Sequence, residues 1–323
     1  MKCLYCGKQI ARNATHDETT TLWHSRCSLK FFGTPKVPAL DIDDHALHIL
    51  AEESVNHGLT IPGVQKKLSL HLSVADDLRL TIVDYPTGYI LKPCADEYEH
   101  LPEFENLAMR LAKTAGISTV ENALIKMNDT LAYITKRVDR NFVKGEIVSM
   151  MAMEDFCQLA ERLTIDKYRG SYEKCGKIVR EYSSRPGIDL AELFIRVMFS
   201  YIIGNSDMHL KNFSLIESAP GSRLFSLSPA YDMLPVNVIL PEDTEEMALT
   251  LNGKKRRIKR SDFMSLADSY NITENAANKM IRKMCSLEDR FLTICDESYL
   301  PKNAADEVKA LISQRIKTLQ GNL

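Results

Sequence analysis

The chain has 323 residues, 45% apolar and 26% charged, enough to bury a full core and long enough for two domains or lobes. Its 41 lysines and arginines against 43 acidic residues leave a formal charge of −2, so the overall balance gives no argument for a nucleic-acid or membrane partner. The N-terminus MKCLYCGKQI lacks an apolar signal core, and the longest apolar run, LFIRVMFSYII, is interrupted by Arg196 and too short for a bilayer; a cytoplasmic protein is expected.

Changes of pattern divide the chain into three regions. Residues 1–40 are rich in cysteine, histidine and threonine and end in the turn-prone FFGTPKVP. Cys3 and Cys6 form a CxxC there, and WHSRC supplies His24 and Cys27 as an HxxC. Two such pairs can close a tetrahedral shell of three thiolates and one imidazole, the arrangement of structural zinc, with no position left open for catalysis. So short a segment has too little core to fold unaided, and the expectation is a small appended knuckle folded by its Zn2+. His16 is the alternative imidazole, without the HxxC pairing. Trp23, the only tryptophan, adjoins His24 and is expected to pack over this module. Cys94, Cys157, Cys175, Cys285 and Cys295 stand alone and read as buried or inert thiols.

Residues 41–140 begin with a helix-like segment, DDHALHILAEESVNHG, and continue in alternating or β-branched runs: KKLSLHLSV, LRLTIVDY, GYILKP, ALIKMN and LAYITKRV. These predict an antiparallel sheet. It is interrupted by one helix, PEFENLAMRLAKTAG, with Leu107, Leu111 and Ala115 at fourfold spacing and Gly116 at the stop. Residues 141–323 read as mostly helical, as in VSMMAMEDFCQLAERL, KCGKIVREYSS and DLAELFIRVMFSYIIG, with strand-like pieces at FSLIE and RLFSLS. The fold class is therefore α+β, a mainly β lobe followed by a mainly α lobe.

Phosphoryl transfer from a nucleotide asks for a carboxylate to orient the acceptor hydroxyl, oxygens to hold magnesium, and a cation on the phosphates. In GNSDMHLKN, Asp207 fits the first role and Asn212 the second; in PAYDML, Asp232 supplies a further metal oxygen. Lys92, on the strand-like GYILKP, fits the α and β phosphates, and Glu105 on the following helix can hold it. TIPGVQKKLSL places Gly63 in a turn before a strand, beside Lys66 and Lys67, as a phosphate cover. Singly, each has an ordinary explanation: a solvated lysine head, a helix-surface acid, a turn begun by aspartate. Together they occur in kinase order, the first two in the β lobe and the rest in the α lobe, so a cleft between the lobes is expected to gather them around ATP.

Taken in order, TIPGVQKKLSL, YILKP, EFENLAMRLAKTAGI, ITKRVDRN, EDFCQLAERL, GNSDMHLKNFSL and PAYDMLP resemble the HipA-like serine/threonine kinases of bacterial toxin–antitoxin systems, over residues 58 to about 300. The resemblance implies a two-lobed protein-kinase-like fold, with Lys92 as phosphate contact, Glu105 its partner, Asp207 the catalytic aspartate, and Asn212 and Asp232 the Mg2+ ligands. It places KRVDR at the hinge, where Lys136 and Val138 would offer backbone groups to adenine. His209 would contact the γ phosphate or stabilise the loop by a hydrogen bond. Longer members carry an extra N-terminal subdomain, and the knuckle and one helix stand in its place. The chain thus looks like the short, tripartite type, with a separate small HipS-like protein and a HipB-like helix-turn-helix antitoxin. Members autophosphorylate the glycine loop. Thr60 falls at the first such position, and the second is Pro62 here. Family targets are aminoacyl-tRNA synthetases, so a protein substrate is expected, with DNA reached only through the antitoxin.

The run KKRRIKR, residues 254–260, follows an NG turn and reads as a solvated hairpin or docking surface, with contact to nucleic-acid phosphates as the competing view. Two other functions fit the same residues: a small-molecule or lipid kinase of related fold, and a nonenzymatic zinc-dependent nucleic-acid-binding regulator.

Overall fold

In the computed structural model the described residues are 1–42, 67–73, 78–81, 86–95 and 97–321. The helix-like stretch after Ile42 and the predicted phosphate cover, with Thr60, Pro62, Gly63 and Lys66, lie outside them. The chain divides into two compact units, Met1–Asn106 with Val120–Met150, and Leu107–Thr119 with Met151–Leu323.

The first unit opens with α1 (His16–Thr21) and α2 (Ser25–Phe32) and then builds a six-stranded sheet. Its strands are β1 (Ala39–Asp41), β2 (Leu68–Ser73), β3 (Arg79–Thr81), β4 (Tyr89–Lys92), β5 (Asn122–Met127) and β6 (Thr130–Lys136), in the order β1-β3-β2-β4-β6-β5. Alternation explains β2: Leu68, Leu70 and Leu72 are buried while Ser69, His71 and Ser73 are not. The pairing is antiparallel as expected except for β1 and β3, which run parallel in the register Ala39↔Arg79.

A hairpin, β7 (Arg140–Val143) and β8 (Glu146–Met150), completes the unit, turning at Lys144 and Gly145, both at positive φ. This corrects the helical reading of VSMMAMEDF. The alternating EIVSM pairs across that tight turn, and Met153–Asp155 forms β9, leaving only Phe156–Leu159 (α4) as helix. A Cβ on Gly33 would stand 2.6 Å from the Gly145 nitrogen, so the end of α2 and the hairpin turn meet backbone to backbone.

Helix α3 (Leu101–Thr114) follows the predicted pattern, with Leu107, Leu111 and Ala115 buried and Gly116 at positive φ just beyond.

In the second unit β10 (Ser214–Glu217) lies between β9 and β11 (Phe225–Leu227), all antiparallel. The remaining helices are α5 (Tyr172–Tyr182), α6 (Pro186–Ile203), α7 (Val236–Ile239), α8 (Arg260–Ser269), α9 (Glu274–Cys285), α10 (Glu288–Asp296) and α11 (Lys302–Gln320). Proline at the first position starts α6 without losing a helical hydrogen bond. From Arg196 to Ile203 every residue of α6 is buried, which makes it a central helix and not a surface amphipath. It stops at Gly204, where φ is 72° and a side chain would collide with Leu311 of α11. Among the described residues no helix is long and apolar enough to cross a membrane.

Candidate functional site

The left-handed cap at Gly204 releases the chain from α6 into the loop Asn205–Asn212, so a buried helix end aims the loop. The Asn205 amide still donates to Ser200 O (2.8 Å), and its side-chain oxygen accepts from Asp207 N (3.3 Å). The Asp207 carbonyl accepts from His209 N (2.8 Å), and the His209 carbonyl from Asn212 N (3.0 Å), which closes the last turn. Within Gly204–Leu210 only Asp207 is not fully buried. The Tyr168 hydroxyl donates to Asp207 Oδ1 at 2.5 Å. Burial first, and then the Asp207 charge, push the Tyr168 pKa up, so the phenol stays a donor. His209 is buried with its ring edge-on to Tyr168, centroids 5.0 Å apart, and therefore backs the residue that holds Asp207. Lys211 reaches Asp155, the cap of α4, at 2.7 Å.

The second loop runs from Ser228 to Asp232. Arg196, buried in α6 and paired with Glu192 at 3.1 Å, donates to Ser228 O at 2.6 Å; Ala230 N donates to Ser118 O at 2.7 Å. Two bonds tie this loop to the first, Tyr231 OH to Lys211 O (3.1 Å) and Asn212 Nδ2 to Asp232 O (3.2 Å), and Tyr231 OH also meets Ser214 Oγ of β10 (2.5 Å). Asp232 takes a left-handed conformation, φ 60°, uncommon for a residue with a side chain and typical of constrained functional positions. With its amide nitrogen committed, Asn212 keeps its side-chain oxygen buried and, among the described residues, without a hydrogen-bond partner. An orphaned amide oxygen on a loop bonded to that of Asp232 is a donor set suited to a hard divalent cation.

In the first unit, Lys92 ends β4 and Glu105 lies on α3; Lys92 Nζ is 2.6 Å from Glu105 Oε1, with both side chains almost fully buried (4% and 1% exposed). Lys92 pairs across the sheet with Tyr133, whose ring centroid is 5.4 Å from the ammonium. At the expected hinge, the Lys136 amide is already committed to Glu121 O (2.9 Å), and Val138 occupies the turn before β7. Hydrogen-bonding capacity there therefore rests on groups other than the Lys136 N–H.

The cysteine and histidine residues also converge. The ligand atoms of Cys3, Cys6, His24 and Cys27 all lie within 4.8 Å of one another. His24 Nδ1 is 3.5 Å from Cys6 Sγ and 3.7 Å from Cys27 Sγ. Tetrahedral zinc with ordinary bond lengths places such a nitrogen and sulfur about 3.6 Å apart. His16, the alternative, is exposed at the start of α1 and outside the cluster. All eight cysteines are free thiols.

The basic run is partly neutralised: Lys254 pairs with buried Asp262 (2.6 Å), Lys255 with Glu245 (3.0 Å), and Arg260 donates to Leu319 O and Asn278 Oδ1 (both 2.7 Å). It sits on a turn at Asn252 and Gly253, closed by the Leu251↔Lys254 bridge, as the NG signal predicts.

Tyr168, Tyr231 and Arg196 carry the loop geometry, and no motif in the sequence marks them for that role. Arg196 left one signal, a charge inside an otherwise apolar helix; the tyrosines left none, since their contacts join segments far apart in the chain.

Residues 59–290 match the model of a family described as HipA-like C-terminal domain. A putative kinase of Haemophilus influenzae is 26% identical over 302 residues, covering 84% of each chain. Putative kinase Y4dM of Sinorhizobium fredii is 31% identical over 231 residues, 67% of this chain and 54% of that one. The serine/threonine-protein kinase toxin HipA of Shewanella oneidensis is 26% identical over 206 residues, 58% of this chain and 45% of that one. The matched regions thus make up about half of the latter two proteins. Among solved structures, the Shewanella oneidensis complex of HipA, HipB and operator DNA superposes with a TM-score of 0.67 at 20% identity, covering 84% of this chain and 71% of that one. Helicobacter pylori proinflammatory kinase CtkA gives 0.50 at 13% identity, covering 76% and 90%. The fold is α+β and kinase-like.

Proposed function

The chain belongs to the HipA-like C-terminal domain family, and on that premise we propose that it is an ATP- and Mg2+-dependent serine/threonine-protein kinase acting as a toxin restrained by an antitoxin. The observation that carries this reading is the pairing of the Asn212 and Asp232 loops beside a held Asp207 carboxylate. Asp207 orients the acceptor hydroxyl and receives its proton as the phosphoryl group transfers. Tyr168 fixes the rotamer of Asp207. Asn212 and Asp232 would hold Mg2+, which when bound neutralises phosphate charge. Lys92, positioned by Glu105, contacts the α and β phosphates, Lys136 O and Val138 face adenine, and Gly63 belongs to the phosphate cover. Thr60, in that cover, is the self-phosphorylation site. His209 supports Tyr168 in this reading. The protein substrate is sought among cytoplasmic translation enzymes such as aminoacyl-tRNA synthetases. A HipB-like antitoxin, and through it DNA, is the expected partner, consistent with the composition of the Shewanella complex; a small HipS-like protein would complete the set.

Incubation with Mg2+ and ATP labelled in the γ phosphate tests the reaction. Label on serine or threonine of a protein is expected; label confined to a metabolite would move the assignment to a small-molecule kinase.

Two variants test individual roles. Asn212→Ala removes the orphaned oxygen, and the Mg2+ concentration for half-maximal activity is expected to rise at least tenfold, about 1.4 kcal/mol. Asn212→Asp, which retains an oxygen ligand, should lose less; equal Mg2+ dependence in all three proteins would dismiss Asn212 as a ligand. Tyr168→Phe deletes a hydrogen bond to a charged group, worth about 1.5–3 kcal/mol. The expected result is a tenfold or greater fall in kcat with little change in KM for ATP, and an unchanged kcat would remove Tyr168 from the mechanism.

A further inference from the structure

We propose that Cys3, Cys6, His24 and Cys27 bind a single zinc ion, and that this ion pins a cover over the open edge of the sheet that carries Lys92. All four residues fall within the first compact unit, which also holds the six-stranded sheet.

The argument begins at β5, the outermost strand of the six. An edge strand exposes unpaired backbone groups that invite association with other chains. Here those of Leu124 are both satisfied, by residues adjoining the four clustered ones. Its N–H donates to the carbonyl of Leu4 (3.1 Å), which lies between Cys3 and Cys6, and its carbonyl accepts from Trp23 Nε1 (3.1 Å), beside His24. Lys126, also on β5, donates to Thr20 O at 2.6 Å. Leu4 N also donates to Leu22 O (2.8 Å) and Tyr5 stacks on Trp23 (5.5 Å), so a metal joining the two halves of the cluster would reinforce contacts that hold the edge-closing groups in place.

The ligand geometry suits that task. Cys6 and Cys27 stand 3.5 and 3.7 Å from His24 Nδ1, the spacing of a tetrahedral S and N pair on zinc, and thiolate-rich sets select this metal over magnesium or calcium. The other imidazole nitrogen, Nε2, lies 3.2 Å from Gln9 O, a contact that fixes Nδ1 as the lone pair facing the thiols. Gly7, at φ 71°, lets the chain fold back so that its N–H reaches Cys3 O at 2.8 Å, closing the first knuckle.

From the cluster an aromatic chain runs inward. Trp23 meets Phe31 (5.6 Å) and Phe32 (5.3 Å), and these meet Tyr89 (5.8 and 5.6 Å) on β4, the strand that ends in Lys92. Order at the metal is thereby transmitted by packing to the lysine strand.

Trp23, the sole tryptophan and 1% exposed, reports on the cover directly. The full chain, purified without a metal-affinity tag and under reductant, is expected to carry one zinc by elemental analysis. Exchange with Co2+ should give thiolate-to-cobalt charge transfer and the visible bands of a tetrahedral ion. Stripping the metal with a chelator should shift Trp23 emission to longer wavelength, and Zn2+ should restore it. Cys6→Ser, at a half-buried position, should bind zinc at least a hundredfold more weakly. Failure of the reduced chain to bind stoichiometric Zn2+ overturns the site; full binding with Trp23 emission indifferent to metal removal overturns the cover. Neither readout depends on kinase activity, so both stand apart from the functional assignment.

Discussion

Asp207→Asn is expected to slow phosphoryl transfer about a thousandfold or more, at saturating ATP, while leaving ATP affinity and thermal stability close to those of the parent. The substitution is nearly isosteric. An amide oxygen can still accept from the Tyr168 hydroxyl, which in the parent donates to Asp207 Oδ1 at 2.5 Å, so the loop keeps its support. What the variant loses is a negatively charged acceptor for the proton of the attacking hydroxyl. Because the Asn212 and Asp232 loops are tied to each other by bonds that do not involve the Asp207 side chain, metal and nucleotide binding should survive. Single-turnover transfer, measured beside equilibrium ATP binding, separates the two. A rate within tenfold of the parent would remove Asp207 from the chemistry, and equal loss of ATP affinity and rate would make it a binding residue. Phosphate on Thr60, read by mass spectrometry, should vanish from the variant; its persistence would show that another kinase places it there.

How much of this could be read from the chain alone depends on whether the information is local. The alternation of Leu68, Leu70 and Leu72 marks a strand whatever it pairs with, and the run ending at Ile203, followed by glycine, marks a buried helix and its stop. The polar crowding of GNSDMHLKN is local too, and Lys92 and Glu105 are suggested by a strand lysine followed by a helix acid. Where partners lie far away, local reading fails. Met153 pairs with Ile216, so the stretch with helix-like apolar spacing became a strand once β10 was beside it. Tyr168 reaches Asp207 across 39 residues, and nothing in TIDKYRG announces it. The cysteine and histidine spacing announces a cluster but not its position: the Leu4 carbonyl and the Trp23 indole N–H meet the Leu124 backbone about a hundred residues further along the chain, and a contact to backbone groups that distant leaves no mark on composition or periodicity.

The pair Lys92 and Glu105 gives the largest expected effect on stability. Burying two charges incurs a desolvation penalty that their attraction, at 2.6 Å, offsets only while both are present. Glu105→Leu removes the carboxylate 2.6 Å from an ammonium with less than a twentieth of its surface exposed, and the Tyr133 ring at 5.4 Å is a weaker partner than that carboxylate. The first unit should lose about 3–5 kcal/mol, as expected for breaking a buried pair. Denaturant unfolding followed by Trp23 emission measures this, because the only tryptophan lies in that unit. Lys92→Met combined with Glu105→Leu replaces both charges with apolar groups, and stability should return to within about 1 kcal/mol of the parent or exceed it. Phosphoryl transfer should not return, since no cation then meets the phosphates. That contrast decides why the pair is there. A double variant that is stable and inactive means the buried charges are kept for nucleotide chemistry at a cost to the fold; one as unstable as Glu105→Leu alone means the ion pair is itself a structural bond of the sheet.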